Sequence, residues 1–195
     1  MPSYYFDCET SREGRDRVNP KLDRLVSISF QEIGSRTGNP IGELQILKSW
    51  ESSEKSILSE FLNKTRWLET PPNPWEFIPI GFNLSFDLLI IYYKTKKILE
   101  YKLNLDFLFH QLPKIDIKPI FVLANDGEFK GASLDKFSDK RYDGAYAYEL
   151  IQEEKWDDLL QYIKDETESF LKIYQQLLKK FPTILKRISK NLKLK

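Results

Sequence analysis

Residues Tyr4-Tyr5-Phe6-Asp7-Cys8-Glu9-Thr10 set two carboxylates two positions apart inside an aromatic, apolar run. Such a run is strand-forming, and in a strand residues i and i+2 leave the same face. Asp7 and Glu9 then point one way while Phe6 and Cys8 point the other. Like charges side by side repel, and burying them without a counter-charge is costly. A divalent cation held between them would remove both difficulties. The chain around this strand must therefore supply a core for one face and a charge-compensating site for the other.

The rest of the sequence alternates short strands with helices. Arg24 to Ile33 alternates Leu25, Ser27 and Ser29 with Val26, Ile28 and Phe30, a strand pattern. Gly34 to Pro40 is a turn cluster, and Ile41 to Trp50 is expected to be a third strand returning beside the second. Ser52 or Ser53 caps a helix from Glu54 to about Trp67, with Ile57, Leu58, Phe61 and Leu62 at helical spacing. Phe77 to Gly81 predicts a strand. Asn83 caps a helix from Leu84 to about Ile98, with Phe86, Leu89, Ile90 and Tyr93 inward. Leu103 to Leu112 is weakly helical, Ile115 to Leu123 is expected to be a strand, and Ser133 to Phe137 starts a short helix. Ser138 to Tyr148 reads as a polar loop. Lys155 to Phe181 predicts one long helix stopped at Pro182. The order predicts an α/β domain with a mixed central sheet flanked by helices, spanning 1–181, followed by a basic tail at 182–195.

Composition narrows the class. With 195 residues, 41% apolar and 14% aromatic, the chain can build a core and is not disordered. A formal net charge of +1 leaves room for a local basic groove. One cysteine excludes an intramolecular disulfide and fits a reducing compartment. No segment has a signal-peptide pattern, and the apolar runs are too short to span a bilayer. A cytoplasmic protein without a membrane partner is the expectation.

Two further acidic features accompany the first strand. In Gly81-Phe82-Asn83-Leu84-Ser85-Phe86-Asp87, Asn83 and Asp87 are four apart at a strand-to-helix junction, where α/β proteins place their sites. An N-cap asparagine and a first-turn aspartate would look the same. In the long helix, Trp156, Leu159, Leu160, Ile163, Thr167, Phe170 and Tyr174 mark the buried stripe. On that wheel Asp165 points into solvent, whereas Glu166 lies about 70° from the stripe centre, with Tyr162 one turn back on the same side.

Phe6-Asp7-Cys8-Glu9-Thr10, then Gly81 to Asp87, then Tyr162 followed by an acid resemble the three motifs of the DEDD superfamily of 3′–5′ exonucleases. The nearest resemblance is to the proofreading exonuclease domain of family B DNA polymerases, over about residues 3–178. The sole histidine, His110, lies far from the third motif, so the resemblance is to the tyrosine branch, through Tyr162. That branch carries aspartate four residues after the tyrosine, and here the position is Glu166.

The resemblance implies a ribonuclease H-like fold and two Mg²⁺ or Mn²⁺ ions. Asp7, Glu9, Asp87 and Glu166 would be the metal ligands, with Tyr162 as a further catalytic residue. It implies a stand-alone exonuclease acting at 3′ ends, single-stranded DNA preferred. A 3′–5′ exoribonuclease and a weakly active or inactive nucleic-acid-binding or partner-recruiting module of the same fold are the alternatives. Thr10, Arg12, Asn83, Lys140, Arg141 and Tyr142 are candidate nucleic-acid contacts. The basic tail, with Lys186, Arg187, Lys190, Lys193 and Lys195, could pack on the domain, clamp nucleic acid or dock a protein partner.

Overall fold

The computed structural model of the chain describes all residues except 13, 16, 126, 138–143 and 192–195, and describes 124, 135, 137 and 184–191 by their backbone alone. Five strands form one mixed sheet: β1 (Ser3–Ser11), β2 (Arg24–Ile33), β3 (Gln45–Lys48), β4 (Ile78–Gly81) and β5 (Ile115–Asp116), in the order β3-β2-β1-β4-β5. The first three are antiparallel neighbours, while β4 runs parallel to β1 and β5 parallel to β4. This is the ribonuclease H-like arrangement, with the acid-bearing strand at its centre.

Helices cover both faces of the sheet. The helices α1 (Glu54–Thr65) and α2 (Leu84–Ile98) lie on the Phe6 and Cys8 side of β1. Phe6, Phe61, Trp67 and Phe77 meet there in edge-on and stacked pairs at 5.2–5.9 Å, and each such large buried side chain contributes about 1.5–3 kcal/mol. On the Tyr5 side lie α3 (Lys118–Ala124), α4 (Leu134–Phe137), α5 (Gly144–Gln152) and α6 (Trp156–Asn191). Tyr5 packs against Phe170 of α6, so the Asp7 and Glu9 face of β1 is the α6 face.

Two backbone devices place the site. Opposite Glu9 and Thr10 the register of β2 slips by one residue: Glu9 faces Ser27 but Thr10 faces Leu25. Val26 is the extra residue, and this bulge turns it toward α5 and α6, where it packs in a cluster with Ala147, Tyr162 and Ile163. At Gly81, a Cβ would lie 2.5 Å from Leu84 Cδ2 and 2.6 Å from the Phe6 carbonyl oxygen. Only glycine lets β4 leave β1 there and start α2 at once.

Several elements differ from the sequence expectation. The third strand is shorter, because only Gln45–Lys48 pair with β2. In α2 the buried positions are Leu84, Asp87, Leu88, Ile90, Ile91, Tyr92, Lys94 and Thr95 rather than Phe86, Leu89 and Tyr93. The helix is apolar on several sides, so its phase is not readable from apolar spacing alone. Lys94 is buried with its Nζ 2.9 Å from Glu54 of α1, whose carboxylate also accepts the Leu25 N–H at 2.7 Å. Ile115–Leu123 is a two-residue strand followed by α3. Pro119 has no N–H for a ladder but suits the first turn of a helix.

Gly144–Tyr148 is helical rather than loop, with Ala147, Leu150 and Ile151 buried at helical spacing. Finally, α6 does not stop at Pro182 but continues to Asn191. Residues 181–183 are exposed, and the carbonyl that loses its donor at Pro182 is that of half-buried Leu178, one turn back at the margin of the core.

Replacing Gly81 with alanine should lower the urea unfolding free energy by about 1–3 kcal/mol. Gly144→Ala, where a Cβ meets nothing within 4 Å, should change it by less than about 0.5 kcal/mol. Equal midpoints for the two variants would contradict the close approach at Gly81.

Candidate metal centre

Asp7, Glu9 and Glu166 converge. One oxygen from each lies within 4.8 Å of the others, and all three side chains are partly exposed. Asp7 and Glu9 come from adjacent same-face positions of β1, and Glu166 reaches them from α6. Asp165 is exposed on the opposite side of that helix and accepts a hydrogen bond from Gln161 Nε2 at 2.8 Å. Two unit negative charges about 5 Å apart repel by about 3 kcal/mol at an effective dielectric constant of 20. Three such pairs make a site that favours a cation, and an all-carboxylate donor set suits a hard ion such as Mg²⁺ or Mn²⁺.

Asp87 enters from the other side of the sheet. It is buried at 3% exposure, and its Oδ1 accepts the Cys8 N–H at 3.1 Å. The pairing of β1 with β4 ends at Tyr5 and Ile80. Beyond that point Asp87 takes the place of a neighbouring strand as acceptor for the β1 backbone. Burial first, and then the Asp7 charge, hold its carboxyl well above the ordinary range, against the lowering effect of the Cys8 N–H. The Cys8 thiol is likewise pushed well up by burial and by the charges of Asp87, Asp7 and Glu9, so it stays an unreactive thiol.

Tyr162 lies one helical turn before Glu166 and is buried at 6% exposure. Burial, the charges of Glu9 and Glu166 and its hydrogen bond to Glu166 raise its pKa far above that of a free phenol. It is therefore a fixed hydrogen-bond donor. Val26, placed by the β2 bulge, shares its cluster, and Tyr146 of α5 lies beside its ring at 6.2 Å. Ser29 of β2 backs the site by donating from Oγ to the Asp7 carbonyl at 3.3 Å.

Asn83 does not cap α2. It sits in the left-handed region at φ 67° with no side-chain cap hydrogen bond, and its own N–H donates to Asp116 Oδ1 at 2.8 Å. The cap expected from sequence does not form, and the residue lacks the extended backbone that a capping side chain ordinarily has. Thr10 is half-buried near the end of β1. Arg12 follows, its guanidinium 4.4 Å from the ring centre of Tyr148 on α5. Gln152 of α5 donates to Ser11 Oγ at 3.2 Å. Tyr148 and Gln152 went unnoticed in the sequence, although the Ala147, Leu150 and Ile151 spacing marks their helix. Arg15, in contrast, pairs with the fully buried Asp23 and serves the loop itself. Lys140, Arg141 and Tyr142 lie outside the described residues.

No family model and no curated protein sequence matches the chain. Solved structures do. The family B DNA polymerase from the archaeon Pyrobaculum calidifontis superposes with a TM-score of 0.63 at 19% identity, over 91% of this chain and 24% of the polymerase. E. coli exonuclease I in complex with a dT13 oligonucleotide superposes with a TM-score of 0.59 at 13% identity, over 95% of this chain and 43% of that enzyme. At these identities the likeness is one of fold. The chain spans less than half the length of either protein. No helix among the described residues is long and apolar enough to cross a membrane.

In metal-free buffer, Asp87→Asn keeps an oxygen acceptor for Cys8 and removes a buried charge. It should unfold in urea at or above the wild-type midpoint. Asp87→Ala leaves the N–H unpaired and should cost about 1–3 kcal/mol. A lower midpoint for Asp87→Asn than for Asp87→Ala would contradict this role for the Cys8 contact.

Proposed function

We propose that the chain is a metal-dependent 3′–5′ exonuclease that hydrolyses phosphodiester bonds at the 3′ ends of nucleic acid, with single-stranded DNA preferred. The observation that carries this reading is the convergence of Asp7, Glu9 and Glu166 within 4.8 Å. The fold likeness to a family B polymerase and to exonuclease I bound to dT13 supports the reaction class and the choice of substrate.

In this reading Asp7, Glu9, Glu166 and Asp87 would hold two Mg²⁺ or Mn²⁺ ions, with Asp7 serving both, Glu9 and Glu166 serving one and Asp87 supporting the other. Such ions would supply an acidified water and charge relief on the scissile phosphate and the leaving oxygen. Tyr162 fixes the Glu166 carboxylate through its hydrogen bond, and its phenol oxygen can accept one from the attacking water and so orient it. Asn83, its side chain not used as a cap, faces the terminal nucleotide. Thr10 contacts the same nucleotide from the end of β1. Arg12 holds a phosphate while stacked on Tyr148, a platform that a base can extend. Lys140, Arg141 and Tyr142 add to the grip on the strand. Residues 1–181 form the catalytic domain and 182–195 its basic tail.

A second reading, a nucleic-acid-binding module of low activity, draws on Glu166 standing where the tyrosine branch has aspartate. An exoribonuclease differs only in the sugar it accepts.

The test is hydrolysis of a single-stranded DNA and a matched RNA oligonucleotide with Mg²⁺ and with Mn²⁺. Asp7→Ala should lose at least about a thousandfold in kcat, consistent with removal of the bridging ligand. Glu166→Ala should lose comparable activity while Asp165→Ala keeps it. Tyr162→Phe should lower kcat about a hundredfold with an unchanged unfolding midpoint. Equal activity of wild type and Asp7→Ala would overturn the enzyme reading, and loss in Asp165→Ala but not Glu166→Ala would overturn the ligand assignment.

A further inference from the structure

At the end of the sheet opposite the acids, the turn after β2 and the middle of α6 enclose a cleft of about 330 Å³, lined by Arg36, Thr37, Asn39, Gln175, Leu178 and Lys179. Two side chains are cationic, three are neutral hydrogen-bonding groups, and no carboxylate lines the cleft. The turn that carries Arg36, Thr37 and Asn39 is packed on α6 at Gly38. Gly38 has φ +70°, and a Cβ there would lie 3.0 Å from Tyr174 Cδ1 and 3.1 Å from Gln175 Cγ. Gln175 Nε2 donates to the Gly38 carbonyl at 3.3 Å, and the turn closes through Gly38 N–H to the Gly34 carbonyl at 2.7 Å and Gly34 N–H to the Asn39 carbonyl at 2.8 Å. Thr37 Oγ1 accepts the Asn39 N–H at 3.2 Å and keeps its own hydrogen to donate.

A cleft whose described lining offers an arginine fork, an ammonium, a hydroxyl and two amides, and no carboxylate, has the donor set of a phosphate site. We infer that this cleft binds a backbone phosphate of the nucleic-acid strand, upstream of the 3′ end engaged at the metal centre. The inference rests on the nuclease reading for the choice of nucleic acid as the source of the phosphate. Lys179 is thirteen residues beyond Glu166 on α6, about 20 Å of helix at 1.5 Å per residue. At the 3.4 Å spacing of one strand in a duplex that is about six nucleotides, and fewer for a stretched strand. The cleft thus makes binding depend on strand length: a trinucleotide fills the metal centre alone, and a dodecamer reaches both.

The experiment measures dissociation constants of 5′-labelled dT3 and dT12 by fluorescence anisotropy with Ca²⁺, a hard ion that carboxylates bind, in place of Mg²⁺ or Mn²⁺, over a range of salt. It compares the full chain, the Arg36→Ala/Lys179→Ala double variant, the Lys179→Glu variant and Lys180→Ala as an exposed neighbour outside the cleft. For dT12 the double variant should bind roughly tenfold to a hundredfold more weakly. Its salt slope should fall by about 0.7, the value for one phosphate contact on a single strand. Lys179→Glu should weaken dT12 as well, while dT3 binding and Lys180→Ala stay at wild-type values. Competition against dT12 by inorganic phosphate, in wild type and not in the double variant, also supports a phosphate site occupied by the strand. Unchanged dT12 affinity in both cleft variants, or preference of the cleft for a poly-aspartate peptide over dT12, would overturn the inference. Hydrolysis of dT3 with Mn²⁺ separates the two readings. Activity there with no cleft effect sinks only the cleft, and a cleft effect without activity sinks only the nuclease.

Discussion

The repulsion among Asp7, Glu9 and Glu166 is the constraint on which the rest of the structure depends. Three carboxylates this close repel one another unless a cation lies among them, and a domain of this kind is stable by only about 5–15 kcal/mol. A fold that gathers three carboxylates within 4.8 Å must therefore hold them by elements that cannot relax apart. The central strand supplies two of them, clamped on one side by the long antiparallel ladder to β2 and on the other by β4. The third is carried by a helix whose buried side packs on that strand through Tyr5 and Phe170.

What aligns the two parts is local and inexpensive in residues. One extra residue in β2 turns Val26 into the cluster that seats Tyr162, and Glu166 follows one turn later. One glycine lets β4 leave the sheet, so that α2 begins immediately and brings Asp87 to the Cys8 N–H. The same carboxylate thus completes the backbone hydrogen bonding of β1 and adds a further acid beside Asp7. Around this frame α5 closes the end of β1 through Gln152 and presents Tyr148 under Arg12. The far end of α6 and the β2 turn close a different, cationic cleft.

Much of this was legible in the sequence where one physical signal dominated. The alternation of β2 and the capping serine of α1 gave their elements, with Ser53 accepting the Ser56 N–H. The amphipathic wheel of α6 separated Glu166 from Asp165 because its stripe is narrow and its other face strongly polar. In α2 the wheel misjudged the buried face, since apolar residues surround it and the buried lysine is neutralised only by a glutamate on another helix. Asn83 is left-handed, and two residues earlier Gly81 makes a close approach to the Phe6 carbonyl, a tertiary contact that no local pattern records. Pro119 was the available sign that the strand reading of Ile115–Leu123 could not hold. The proline in α6 gave the opposite error, because the helix runs on through Pro182 in an exposed stretch.

The central claim is that the carboxylates of β1 and α6 form one metal centre, and anomalous diffraction from Mn²⁺-soaked crystals tests it most directly. The account predicts an anomalous peak in contact with Asp7, Glu9 and Glu166, and a second bridged to it by Asp7 on the side of Asp87. Manganese bound elsewhere, with these carboxylates free of metal, would contradict it.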